Sequence, residues 1–193
     1  YLIPRLMGAF TQKYPDVTMA LSAGDTTQII DAIKQGKIEI GVVGALKEDP
    51  AICQEKLKAD EMKLIVPAGH KWADQESIEC SKLFSEAFIA REEGSGTWQS
   101  ILNSMEKAGF KPQNLKSRVT MGNSVSVIQG ILNHVGISIL STIAVANEIQ
   151  TGRLHALSVK GMELNRYFYL TLPKKRTQSP ICKKFIEFAR QTL

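Results

Sequence analysis

Apolar residues recur along the chain in two periods, 3.6 and 2, and the two alternate from end to end. Leu2, Ile3, Leu6, Met7, Ala9 and Phe10 share one helical face, and Tyr14-Pro15-Asp16 predicts the stop of that helix. Val17, Met19 and Leu21 alternate with polar or small neighbours, as in a half-buried strand. Gly24-Asp25-Thr26-Thr27-Gln28 turns into a second helix. Asp25 and Gln28 have the spacing of a capping box, Ile29, Ile30 and Ile33 form the buried stripe, and Gly36 is the expected stop. Ile38 to Val43 is apolar except for Glu39 and reads as a strand covered on both faces. Strand, helix, strand in this order predicts a βαβ unit with parallel pairing.

The second half repeats the alternation. Strands are expected at Met62–Val66 (closed by Pro67), Phe88–Ala90, Ser117–Met121, Gly136–Leu140 and Arg166–Leu172. Helices are expected at Ile78–Phe84, from the Gly94-Ser95-Gly96-Thr97 turn to Ala108, at Ser124–Asn133 and at Thr142–Gln150. Ser179-Pro180 is an N-cap and first-turn pair opening a last helix with Ile181, Phe185, Ile186, Phe188 and Ala189 on its apolar face. That helix has no strand of its own, so it is expected to return to the first half. The fold class is therefore α/β, with subdomain I at 1–66 plus 174–193 and subdomain II at 67–173.

Composition is that of an ordinary globular chain: 193 residues, 44% hydrophobic and 22% charged. It excludes a largely disordered chain or a small disulfide scaffold. The net charge is +5, and the basic residues are scattered apart from Lys174-Lys175-Arg176 and Lys183-Lys184. This favours a solvated surface over direct nucleic-acid binding and leaves anionic small molecules open as partners. Three cysteines with no C-x-x-C fit a reducing, cytoplasmic compartment, and no structural metal is expected.

Three predicted helix starts carry hydroxyl or amide side chains at strand ends: Asp25-Thr26-Thr27, Gly94-Ser95-Gly96-Thr97 and Gly122-Asn123-Ser124. Free N–H groups and the positive end of the helix dipole favour an anion there. Plain capping is the alternative for each. Arg91 can add charge beside the glycine turn or pair with Glu92 or Glu93. His70, His134 and His155 are isolated, and no nucleophile faces a base. The pattern is that of a binder rather than an enzyme, with no cofactor.

Tyr1-Leu2-Ile3-Pro4-Arg5-Leu6 with Phe10 and Tyr14-Pro15 resembles the first helix of the effector-binding domain of LysR-type transcriptional regulators. Gly36 to Val42, Ile65 to His70, Gly94 to Thr97, Val135 to Leu140 and the Ser179-Pro180 helix continue the resemblance over the whole chain. It implies two Rossmann-like subdomains like those of type II periplasmic binding proteins, with a small effector in a hinge cleft. The residues it assigns to the effector are Thr26, Val43, Gly44, Ser95, Gly96, Thr97, Asn123 and Ser124, to which the reading of the helix starts adds Thr27 and Arg91. Val42 to Ala45 and Arg91 to Thr97 look most like the branch responding to sulfur metabolism, which makes a sulfur oxyanion one candidate effector.

Family chains begin with a winged helix-turn-helix, a linker helix and a strand ending in ligand-holding Ser or Thr, none of which lies within these 193 residues. The resemblance implies a homodimer, a tetramer at full length, DNA contact only through that N-terminal domain, and no membrane. Ile3, Met7 and Phe10 of the first helix are candidates for the dimer interface, with core packing as the alternative. A solute-binding protein of a transporter is the rival function, and an enzyme on the same fold the second rival.

Overall fold

In the computed structural model, which describes residues 1–193, six α-helices and eight strands follow one another with two short 3-10 turns at Cys80–Ser85 and Pro112–Asn114. The chain divides into two units, Tyr1–Ala59 with Tyr167–Leu193, and Asp60–Arg166. Both divisions fall earlier in the chain than Pro67 and Pro173, because two long strands, β2 (Ile52–Pro67) and β8 (Asn165–Pro173), run through them. No helix is long and apolar enough to cross a membrane.

The first unit holds α1 (Leu2–Lys13), α2 (Thr26–Lys34), β1 (Gly41–Val43) and α6 (Pro180–Thr192). Ser179 caps α6, its side chain accepting from the Cys182 amide at 3.3 Å, with Pro180 in the first turn. The helix packs on α1, as expected: Leu6, Phe10, Phe185 and Ala189 form one buried cluster. Phe10 is 0% exposed and is therefore core of its own unit, not a surface residue awaiting a second copy.

Three expectations for this unit fail. Val17 to Ala20 keeps its alternation of partly buried and exposed side chains and Leu21 is exposed, but the segment forms no strand, for it has no ladder partner. Val17 and Met19 pack instead against the α1–α6 cluster. The Ile38–Val43 strand is reduced to β1. It pairs antiparallel with β8, Gly41 opposite Thr171 and Val43 opposite Tyr169, so no parallel βαβ unit forms here.

The capping box at α2 is complete. The Gln28 amide donates to Asp25 Oδ1 at 2.9 Å, and the Asp25 amide donates to Gln28 Oε1 at 3.1 Å. Gly36 follows with φ +74°, the left-handed stop that glycine adopts without cost from a Cβ. Asp25→Ala is expected to lower stability by about 1 kcal/mol through the lost cap. Urea denaturation followed by circular dichroism reads this as a lower midpoint at unchanged slope.

The second unit carries the doubly wound arrangement. β4 (Ala87–Arg91) leads through α3 (Gly96–Lys107) to β5 (Lys116–Met121), which pairs parallel with β4, Arg91 lying opposite Met121. From β5 the chain passes through α4 (Ser124–Leu132) to β6 (Ser138–Ser141). A parallel bridge between Phe88 and Ile137 brings that return to the other side of β4. Consecutive strand residues point to opposite faces. Phe88 thus packs with Ile101 and Met105 of α3, and Ile89 with Val127, Ile128 and Ile131 of α4. The two helices cover opposite faces.

Beyond β6 the pairing turns antiparallel: β2 takes β6 on one side and β7 (Leu154–Lys160) on the other, and β3 (Ser77–Glu79) pairs parallel with β7. β7 was not expected from the sequence. The Ile78–Phe84 helix is in fact β3 followed by a 3-10 turn, and the Thr142–Gln150 helix shrinks to α5 (Ala146–Gln150). The close return to β4 needs Gly136, where a Cβ would stand 2.5 Å from the Ala87 carbonyl oxygen.

Candidate functional site

β4 and β5 are parallel neighbours whose onward connections leave for opposite faces of the sheet. Ligands of open α/β sheets bind outside the carboxyl ends of strands at such a point. Here that edge carries Arg91 at the end of β4 and the starts of α3 and α4.

Both helix starts are capped by side chains the sequence singled out. Ser95 Oγ accepts from the Trp98 amide at 3.4 Å, and Asn123 Oδ1 accepts from the Ser126 amide at 2.8 Å. Ser95, Gly96 and Thr97 are buried, Ser124 is half-buried and Asn123 is exposed. Capping and site geometry coincide: the same bonds that start each helix fix the hydroxyl-bearing residue that follows.

Arg91 takes the pairing alternative, with Glu92. Its side chain, 8% exposed, forms a bidentate pair with Glu92, Nε to Oε2 at 2.7 Å and Nη2 to Oε1 at 2.6 Å. Nη1 then donates to Ser124 Oγ at 3.1 Å, tying the end of β4 to the first residue of α4. Burial pushes the Glu92 carboxyl upward, but the Arg91 hydrogen bonds, a backbone bond and the Arg91 charge outweigh it, and the carboxyl titrates below its ordinary range.

A second guanidinium, not anticipated from the sequence, stands behind α3. Arg166 Nη1 donates to Thr97 Oγ1 at 3.0 Å, while Nε donates to Asp60 Oδ2 at 2.8 Å. The Asp60 side chain is 0% exposed and that of Arg166 10%. Ser141 Oγ donates to the other Asp60 oxygen at 2.5 Å, so both carboxylate oxygens are engaged. Burial lowers the Arg166 pKa, Asp60 opposes that shift, and the nearby Arg91 charge adds to it. Arg91 and Arg166 are thus close enough to feel one another.

The remaining predicted residues belong to the first unit. Thr26 is the buried first residue of α2 and Thr27 its exposed neighbour; Val43 is buried at the end of β1, and Gly44 follows it in a bend. The loop after Gly44 is held by Gln54. Its Nε2 donates to the Ala45 carbonyl at 3.2 Å and to Thr171 Oγ1 at 3.0 Å, and its Oε1 accepts from the Lys47 amide at 2.7 Å. The predicted site residues thus gather into two sets, six in the second unit and four in the first. Of the cysteines, Cys53 is exposed, whereas Cys80 and Cys182 are buried, which raises each buried thiol to about 11.

The profile of the LysR substrate binding domain matches residues 1–193. Among curated relatives, the RuBisCO operon transcriptional regulator of Acidithiobacillus ferrooxidans is 28% identical over 188 residues, covering 97% of this chain and 60% of the relative. The HTH-type transcriptional activator CmpR of Synechocystis is 27% identical over 190 residues, covering 97% of this chain and 61% of the relative. The chain therefore spans about three-fifths of the length of these relatives. These names are of transcription regulators, and none concerns sulfur; the sulfur-metabolism placement drawn from Val42–Ala45 and Arg91–Thr97 finds no support in them and is dropped.

Among solved structures, the regulatory domain of Synechocystis CcmR in complex with 2-PG has a TM-score of 0.88 at 26% identity, covering 99% of this chain and 90% of that one. The effector binding domain of QuiR in complex with shikimate has a TM-score of 0.85 at 22% identity, covering 98% and 88%, and shows the shared fold. The fold is accordingly that of type II periplasmic binding proteins, in two subdomains. On a match that takes in every residue, this chain belongs to the LysR substrate binding domain family.

Proposed function

We propose that this chain is the effector-sensing part of a LysR-type transcription regulator and that it binds a small anion at the starts of α3 and α4. The observation that carries the proposal is the Arg91–Ser124 hydrogen bond at the strand edge where α3 and α4 depart to opposite faces. It sets a buried cation, two helix N-termini and the hydroxyls of Thr97 and Ser124 around one edge of one unit. Such a constellation supports an anion without a full opposing charge for each oxygen.

The family resemblance, with the reading of the helix starts for Thr27, extends the effector's contacts to Thr26, Thr27, Val43 and Gly44 of the first unit. Binding regulates only if the effector prefers one arrangement of the subdomains over another. In the longer protein that preference would be passed to an N-terminal DNA-binding domain through a homodimer, assembled into a tetramer, in the cytoplasm.

Isothermal titration calorimetry with 2-PG, shikimate and inorganic phosphate tests the site. Thr97→Ala and Ser124→Ala are each expected to weaken binding by about 1–3 kcal/mol, the value of a hydrogen bond to a charged group. Thr26→Ala tests the first-unit contacts in the same titration. Unchanged affinity in both Thr97→Ala and Ser124→Ala would remove the anion from the α3–α4 edge.

A further inference from the structure

The hydrogen bonds behind Thr97 and Ser124 have a direction. A guanidinium carries five N–H donors and no acceptor. In the Arg166–Thr97 and Arg91–Ser124 contacts the hydroxyl oxygen must therefore accept, and its own proton is left to be donated elsewhere. Neither arginine is free to swing away. Arg91 is clamped by the bidentate Glu92 pair, and Arg166 by an Asp60 whose second oxygen is fixed by Ser141.

Asp60 and Arg166 are also the first and last residues of the second unit. The carboxylate lies on β2 and the guanidinium on β8, the two strands by which the chain enters and leaves that unit. Thr97, the second residue of α3, is thereby tied to both crossing strands through a single side chain.

We propose that Arg166, seated on Asp60, is a positioning residue for the effector site: it holds the Thr97 hydroxyl as a donor, so the site selects ionised carboxylate or phosphate oxygens over their neutral counterparts. This inference rests on the effector site proposed above. Arg91 sets Ser124 in the same sense, which makes the selection a property of both hydroxyls. Each hydroxyl has spent one of its two lone pairs on a guanidinium and has its proton to give, so an accepting oxygen is favoured over a group that must itself donate.

The test is a double-mutant cycle read by calorimetry with 2-PG, shikimate and inorganic phosphate, with methyl shikimate as the neutral counterpart of shikimate. Thr97→Val removes the hydroxyl at nearly constant volume and is expected to weaken binding about tenfold or more. Thr97→Ser restores the hydroxyl and should recover most of that loss. Arg166→Lys keeps a cation facing Asp60 but not the forked geometry. It should weaken binding several-fold in the parent chain and add nothing in the Thr97→Val background, with Arg166→Gln as the second variant.

In the unaltered chain, shikimate should bind at least about tenfold tighter than its methyl ester. Equal affinity for the two, or losses from Arg166→Lys and Thr97→Val that multiply, would overturn the positioning role while leaving the site in place. Full binding by Thr97→Val would overturn this inference alone, and binding of none of the three anions would overturn the site itself and this inference with it.

Discussion

Asp60→Ala is expected to destabilise the chain by about 3–5 kcal/mol, a large share of the roughly 5–15 kcal/mol that holds a typical domain together. The carboxylate is wholly buried and answers a guanidinium that is itself nine-tenths buried. Truncation strands that guanidinium in a medium that solvates charge poorly, and it strands the Ser141 hydroxyl as well. The size of the effect comes from a buried guanidinium deprived of its carboxylate rather than from the net worth of the pair. Replacing both partners with apolar groups, Asp60→Leu with Arg166→Met, should therefore cost less than Asp60→Ala alone. Urea denaturation checks both variants. A double variant as unstable as Asp60→Ala would mean that the pair stabilises on balance.

Phe10→Ala is expected to cost about 3–5 kcal/mol as well, but for an apolar reason. The ring is 0% exposed and sits among three others: Tyr14 at 4.7 Å between centroids, Phe185 edge-on at 5.1 Å and Phe188 at 5.4 Å. Those neighbours lie at the C-cap of α1 and on α6, held by helix backbones that cannot close over the void. The lost transfer energy and the cavity therefore add. Phe10→Leu keeps much of the volume and should lose clearly less. Denaturation midpoints for the two variants separate cavity from chemistry, and a cost below about 1 kcal/mol for Phe10→Ala would place the ring outside the core.

What the sequence made legible was mainly local. The cap of α2 at Asp25 with Gln28, of α3 at Ser95, of α4 at Asn123 and of α6 at Ser179 are signals complete within four residues, and each cap hydrogen bond is present. The parallel pair β4–β5 followed from a strand–helix–strand order, with an apolar run in β4 and alternation in β5. Strand identity in the first unit was less legible, because a strand is defined by its partner. Val17 to Leu21 alternates well and pairs with nothing, whereas the polar stretch Gln54-Glu55-Lys56 lies within β2.

The site was legible by halves for the same reason. Ser95, Thr97, Asn123 and Ser124 announce themselves as helix starts. Arg91 stood next to its partner Glu92, so the pair could be foreseen, but the bond to Ser124 could not. Asp60 and Arg166 lie 106 residues apart, and Arg166 and Thr97 are 69 apart. Nothing in either local pattern marks these residues. Only the folding of the second unit, from Asp60 on β2 to Arg166 on β8, brings the carboxylate, the guanidinium and the hydroxyl together.

The measurement that bears most directly on the account is a crystal structure of this chain grown with whichever of 2-PG, shikimate or inorganic phosphate binds it in solution. The account predicts that acceptor oxygens of the ligand lie within hydrogen-bond distance of the Thr97 and Ser124 hydroxyls, with Arg91 and Arg166 still in place behind them. A ligand seated on other elements, with both hydroxyls untouched, would contradict it.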